Sequence, residues 1–506
     1  MSQFSEGDAA VNRLTAATTA FEKVLTEPEG VLVPMPLGQP QPSLSERLKR
    51  ALDAVMVQPA QAAAQATAAA QQASQSALAA AQSAADAASS AAATGYVDAP
   101  FPDVWVPFND NLQMLAGTGP VDTINIGGTS YPVGTRSVTF ARATTATYID
   151  KTGIMKTAGI NEPRFEKQGL MCEGAATNLY TQSETWSAGQ RCTVTNNSGV
   201  SPRGDQTMAL MVEDTTATIE HYASDRGIVL TAGTTYCYSV FVKAFISPRN
   251  LYLRVASGST AGAFFDPVAG AWAGNGVGSN FVDRGFEDVG NGIYRVWITF
   301  TAAASQSTVI RIQLANGVTP SYTGDGVSGL YFWGAQFEEG AFPTSYIPTT
   351  TAAATRAADG WAMPNSNIGY ITLAQLFNRT VAFSLVPKYL PVSGYTDVLT
   401  SKGSRNDIIC RMLTPAKLAA YRSSSAIGFS PDASDFGVYV HKTEGNKISV
   451  FFGSKTATGT TNPTSTTETV TEIGNIVQSN VKYVYYIKNL RIWHSALSDI
   501  QIKGLR

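Results

Sequence analysis

The side chains able to do chemistry are few and thinly spread. Acids lie close together at Glu213–Asp214, at Asp283 with Glu287, and at Glu338–Glu339. Glycoside hydrolysis needs two carboxyl groups about 5–9.5 Å apart, but adjacent strand residues point to opposite faces. These acids therefore read as solvated loop edges rather than dyads. The histidines, His221, His441 and His494, show no H-x-x-H or H-E-x-x-H spacing, and His441 reads as a hydrogen-bonded strand residue. No G-x-S-x-G elbow occurs. Cys172, Cys192, Cys237 and Cys410 lack metal-type spacing and read as buried thiols, with disulfides left open. On these grounds the chain is expected not to be an enzyme, and neither a cofactor nor a metal site is assigned. Asp325, in SYTGDGVSG, sits in a Gly-bounded loop where calcium could take carboxylate and carbonyl oxygens; a turn aspartate is the plainer reading. Arg203-Gly204-Asp205 reads as a turn.

Aromatic side chains offer a better route to function, because sugar C–H faces stack on rings while sugar hydroxyls bond to Asn, Asp and Gln. Trp186 (SETWSAG), Trp272 (AGAWAGNG) and Tyr322 (PSYTGDG) fall in Gly-, Ser- and Asn-rich stretches, whereas Trp297 and Trp333 fall inside strand-like runs and read as core. The expected glycan site is a groove of Trp186, Trp272 and Tyr322, with Asp325 fixing orientation.

The elements that would carry such a site differ sharply along the chain. Ala60 to Ala93 is almost entirely Ala, Gln and Ser. Alanine loses no side-chain entropy in a helix, so a helical stalk of about 50 Å is expected. With no large apolar stripe it cannot be a globular core, but its Ala faces let copies pack closely. Before it, Val11 to Leu25 reads equally as strand or helix, and Thr26 to Pro42 is Pro-rich and extended. Ser43 and Glu46 form an S-x-x-E capping box ahead of Leu44, Leu48, Leu52 and Val55, an amphipathic face with no partner in so short a segment. That face is expected to dock on sister chains or on a larger partner.

After the stalk, strand-length runs such as TYCYSVFVKAF (Thr235 to Phe245), IYRVWITFTA (Ile293 to Ala302) and VKYVYYIKNLRIW (Val481 to Trp493) alternate with Gly, Asn and Pro turns. This is the pattern of antiparallel sandwiches. The 506 residues are too many for one core. A net charge of −2 supplies no basic face for nucleic acid. The first residues lack a signal-peptide pattern, and no window is apolar enough for a membrane span, so a cytoplasmic origin without membrane insertion is expected.

DVWVPFNDNLQMLAGTG (Asp103 to Gly119) and VTFARATTATYIDKTGIMKTAGINEPRFEKQGLMCEGAATNLYTQSE (Val138 to Glu184) resemble the start of the head of bacteriophage tail fibres. GDGVSGLYFWGAQFEEGAFPTSYIPTTTAAATRAAD (Gly324 to Asp359) resembles the end of their carbohydrate-binding-module-like jelly roll, and the second half, closing with NLRIWHSALSDIQIKGL (Asn489 to Leu505), is similar to laminin-G or concanavalin-type sandwiches. The resemblance implies a mainly β fold of two antiparallel jelly-roll sandwiches behind a coiled-coil stalk. The domains expected are a virion-anchoring segment (1–57), the stalk (58–95), a β-rich connecting region (96–160), the jelly roll (161–350), a linker (351–364) and the second sandwich (365–506). It further implies a homotrimer in a virion tail, held by tail or baseplate proteins, attaching to bacterial surface polysaccharide by multivalent binding. The alternatives are a tailspike that degrades or deacylates capsule or lipopolysaccharide, and a purely structural tail protein.

Overall fold

The computed structural model describes residues 2–36, 39–93, 97–116, 121–126, 129–134, 138–364, 378–391, 393–403, 407–413, 417–422, 425–430, 437–460, 470–477 and 481–505. The chain is mainly β and divides into two compact units, Met1–Tyr96 and Val97–Arg506.

In the first unit the undecided Val11 to Leu25 stretch lies within a helix, Ser2–Thr26. In the Pro-rich segment Leu32–Val33 and Gln41–Pro42 are extended and pair, Leu32 facing Pro42 and Val33 facing Gln41. Ser43 Oγ accepts the Glu46 N–H at 3.2 Å. The reciprocal half of the capping box is not made, because Glu46 instead takes the Gly30 N–H at 3.1 Å and pairs with Arg50 at 2.6 Å. The second helix, Leu44–Ala93, runs through Pro59, so the amphipathic segment and the stalk are one element of 50 residues, about 75 Å long. Leu44, Leu48 and Leu52 are 41%, 62% and 62% exposed; the Val55 side chain lies outside the described residues. Among the described residues no helix is long and apolar enough to cross a membrane.

The second unit holds two sandwiches whose pairing crosses the boundaries expected at 160 and 350. One pairs two six-stranded sheets, both drawn from residues 188–339. Its central strand Thr235–Ala244 is flanked by Ile293–Thr301 and Gly329–Glu339. Tyr236, Tyr238, Val240 and Val242 of that strand enter the inter-sheet core, while Phe241 faces the other way into a small cluster with Trp333 and Tyr346. The edge strand Phe281–Gly290 is instead largely solvated.

The other sandwich is built from both ends of the unit. In its larger sheet Val484–Trp493 pairs with Asn378–Tyr389, with Gly169–Glu173 and with Val104–Val106. In its smaller sheet Gly360–Pro364 joins Thr139–Ala141 to Val470–Ile476. The expected connecting region therefore supplies strands to the C-terminal sandwich, and the first sandwich is an insertion in this host. Where the chain leaves the host and where it returns, Ala176–Asn178 and Ala354–Arg356 pair with each other.

Beside that junction lies a knot of buried charge. Arg164 bonds Asp359 and Glu173, the latter at 2.8 Å, with both side chains fully buried. Arg142 reaches Asp359 at 3.1 Å, and Arg356 reaches Glu173 at 3.3 Å. Ser345 gives Glu173 its N–H at 2.8 Å and its hydroxyl at 2.6 Å. Burial opposes the Glu173 charge, but Arg356, Arg164 and Ser345 outweigh it and lower the pKa to about 2. The four cysteines are free thiols; Cys172, Cys237 and Cys410 are buried, and burial pushes Cys192 up to about 11.

Candidate functional site

The expected aromatic groove does not assemble. Trp186 is 4% exposed; it packs on Phe332 at 4.6 Å and Tyr180 at 5.6 Å, inside the core of the inserted sandwich. Its Gly- and Ser-rich surroundings hide this, because the nearest ring over it, Phe332, comes from a distant strand. Trp272 is half-buried on the edge strand Ala271–Val277, with Phe265 at 5.2 Å and the Arg284 guanidinium at 5.2 Å over its ring. Tyr322 is 8% exposed. Its hydroxyl donates to Glu213 at 2.5 Å, and Arg249 lies 5.1 Å over its ring. The three rings thus have separate sets of neighbours.

Asp325 is the turn residue of the plainer reading. It accepts the Val327 and Ser328 N–H groups at 2.9 and 2.7 Å, the Ser328 hydroxyl at 2.6 Å and Arg249 at 3.2 Å. The Ser328 hydroxyl bond is the chief reason its pKa is lowered. In two of the acidic pairs one member is buried rather than solvated, as alternation along a strand allows. Glu213 is forked by Arg249 at 2.7 and 2.9 Å. Glu338 takes the Thr344 N–H at 2.9 Å and Lys482 at 3.2 Å.

A different place brings hydrogen-bonding side chains around open space. Three adjoining hollows lie by the turn Asp150–Gly153, two of them at the seam between the inserted and host sandwiches and one among residues outside the insertion. The turn is closed by the Gly153 N–H on the Asp150 carbonyl at 3.0 Å. It needs glycine, because Gly153 has φ +88°. On one side of the turn is a hollow of about 650 Å³ between Asn111, Gln113, Tyr148, Thr152 and Phe165. On the other is one of about 800 Å³ between Thr152, Gln168, Glu166, Glu287, Lys388 and Tyr486. Next to them, a smaller pocket of about 50 Å³ is lined by Tyr148, Glu166, Glu287 and Lys388.

Glu166 and Glu287 are held differently in this furrow. Glu166 accepts the Ile149 N–H at 2.9 Å and the Tyr486 hydroxyl at 2.7 Å. Burial dominates its surroundings and raises its pKa. Glu287, 28% exposed, pairs with Lys388 at 2.8 Å and accepts the Tyr389 hydroxyl at 3.0 Å. Burial would raise its pKa too, but Lys388 outweighs burial and the net direction is downward. Tyr389 is fixed by stacking on Phe342 at 4.5 Å. Sequence reasoning paired Glu287 with Asp283 and passed over Glu166, about 120 positions away in NEPRFEKQG. No spacing signal joins residues so far apart.

No family matches the chain, and no curated protein matches it. Among solved structures, domains LG4–5 of the mouse laminin alpha1 chain match 54% of this chain and 88% of theirs, at 11% identity and a TM-score of 0.19. A Trypanosoma rangeli sialidase, in complex with 2,3-difluorosialic acid as a covalent intermediate, matches with 76% of each chain covered, at 10% identity and a TM-score of 0.24. These likenesses are too slight to argue from, and neither is to a phage protein. The expectation that the chain is not an enzyme is corrected here, since a sialidase is among the structures matched. At that TM-score the match fixes neither an activity nor its absence.

Proposed function

We propose that this chain is a glycan-binding attachment protein of the tail-fibre type, and that the furrow around Asp150–Gly153 holds the glycan. The observation that carries this reading is the furrow itself, an elongated space bordered by carboxylates, amides and hydroxyls with the Tyr148 and Phe165 rings beside them. Sugars bind through that combination of ring stacking and dense hydrogen bonding. The resemblance of Val138 to Glu184 to tail-fibre heads supports the same reading. In it the N-terminal unit anchors the protein to a virion tail, and copies associate through the helices as a homotrimer. The Ala-rich stretch and the exposed Leu44, Leu48 and Leu52 support that assembly. Three weak sites on one fibre then act together through high effective concentration.

The test is retention of the full chain on immobilised bacterial lipopolysaccharides and capsular polysaccharides. Tyr148→Ala is expected to weaken retention about tenfold, the loss of one aromatic contact, with thermal unfolding unchanged. Retention of the variant equal to that of the parent would refute this site. No retention of the parent on any surface polysaccharide of a susceptible host would refute the function.

A further inference from the structure

Two carboxyl groups placed in unlike surroundings around one space are what cleavage of a glycosidic bond requires: one to give a proton, the other to stay ionised. Glu166 and Glu287 share such a space. Both line the 800 Å³ hollow and also the pocket next to it, so they border the same space from opposite sandwiches. Other buried acids are paired with cations: Glu173 and Asp359 with arginines in the junction knot, Glu213 with Arg249, and Glu338 with Lys482. Among the described residues Glu166 has no cation within ion-pair distance. Its bonds are to a backbone N–H and a tyrosine hydroxyl, which a protonated carboxyl also accepts. Glu287 has the Lys388 ammonium and the Tyr389 hydroxyl on one oxygen, Oε1.

We infer that Glu166 is the proton donor and Glu287 the ionised carboxylate of a site that hydrolyses a glycosidic bond of the bound glycan. This rests on the reading of the furrow as a glycan site. In the step, the bond between the anomeric carbon and the bridging oxygen breaks. Glu166 gives its proton to the departing oxygen. A water oxygen forms the new bond to the anomeric carbon and loses a proton to Glu287. One water is consumed, and solvent returns the proton from Glu287 to Glu166. Lys388 is a positioning residue that holds Glu287 ionised until the water is in place. Burial raises the Glu166 pKa and Lys388 lowers that of Glu287, which spaces the two ionisations as the step needs. The rate should follow a bell in pH, falling on the acid side as Glu287 is protonated and on the basic side as Glu166 ionises.

The experiment incubates the full chain with those lipopolysaccharides and capsular polysaccharides that it retains, and measures new reducing ends. Release is expected, and Glu166→Gln and Glu287→Gln should each slow it by about 100- to 10,000-fold in chains that still unfold cooperatively. Lys388→Met, which leaves both carboxyl groups in place, should move the acid limb of the bell to higher pH, and it serves if either Gln variant fails to fold. Retention with no reducing ends released overturns the hydrolysis and leaves the binding reading standing. Release that both Gln variants preserve, or an acid limb that Lys388→Met does not move, overturns the assignment of these residues. Retention of none of the polysaccharides refutes the binding reading, and the hydrolysis with it.

Discussion

Asp359→Asn tests the buried knot with almost no change in shape. The parent carboxylate accepts from Arg142 at 3.1 Å, from Arg164 and from the Glu173 N–H at 2.9 Å. Asn keeps one acceptor oxygen but turns an NH2 group toward donors, and three buried guanidiniums are left facing Glu173 alone. Removing one partner of a buried ion pair costs about 3–5 kcal/mol, because the remaining charge stays desolvated. With about 400 residues in the unit and about 2.1 cal/mol/K of unfolding entropy per residue, that cost lowers the midpoint by about 4–6 °C. Differential scanning calorimetry of the full chain reads this directly. Asp499→Asn is the control: its carboxylate is 71% exposed and pairs with Lys442 at 3.1 Å, so a shift under about 1 °C is expected. A shift for Asp359→Asn no larger than the control's would refute the argument that the buried charge knot stabilises the unit beside the junction.

Trp186→Ala should destabilise the unit by about 3–5 kcal/mol, as expected for a large ring removed from a packed core, and denaturant titration would show it; a stability equal to the parent's would mean that the ring is not core. Glu173 has a folded pKa near 2, below that of an unfolded glutamate, so its contribution is fully present above about pH 4.3 and is lost as pH falls through the folded value; thermal midpoints measured between pH 5 and 2 should drop, and Glu173→Gln should flatten that slope. Leu48→Asp alters a side chain that is 62% exposed in the single chain, so helix content should hold while sedimentation shifts from about three times the chain mass toward one; an unchanged assembly would free this face from the trimer contact.

Local chemistry was legible in the sequence where neighbours in the chain are also neighbours in space. Thr235 to Phe245 and Ile293 to Ala302 read as strands and pair as strands. Ser43 reads as a helix cap and is one, and Asp325 reads as a turn residue and is one. What failed to show depends on contacts across hundreds of residues. Trp186 has the local composition of a loop, and Phe332, far away in the chain, helps make it core. The strand Gly169–Glu173 carries no mark that its partner is Val484–Trp493 rather than a nearby run. The furrow escaped for the same reason, since Glu166 and Glu287 reach one hollow only because the insertion is laid against its host. Glu46 differs again: its acidic character was read correctly, but Gly30 and Arg50 compete for it.

The pairing of Gly169–Glu173 with Val484–Trp493 also has a consequence in time. On a ribosome adding about 5–20 residues per second, the roughly 310 residues between these strands take about 15–60 s to appear. The inserted sandwich lies wholly within that interval and can close while the host is still open. Until Val484 emerges, Gly169–Glu173 presents bare N–H and C=O groups, a template that the C-terminal strand of a neighbouring nascent chain would fit equally well. Chains made side by side on one message are therefore the setting in which exchange of this last strand would arise, and slower synthesis lengthens the exposure.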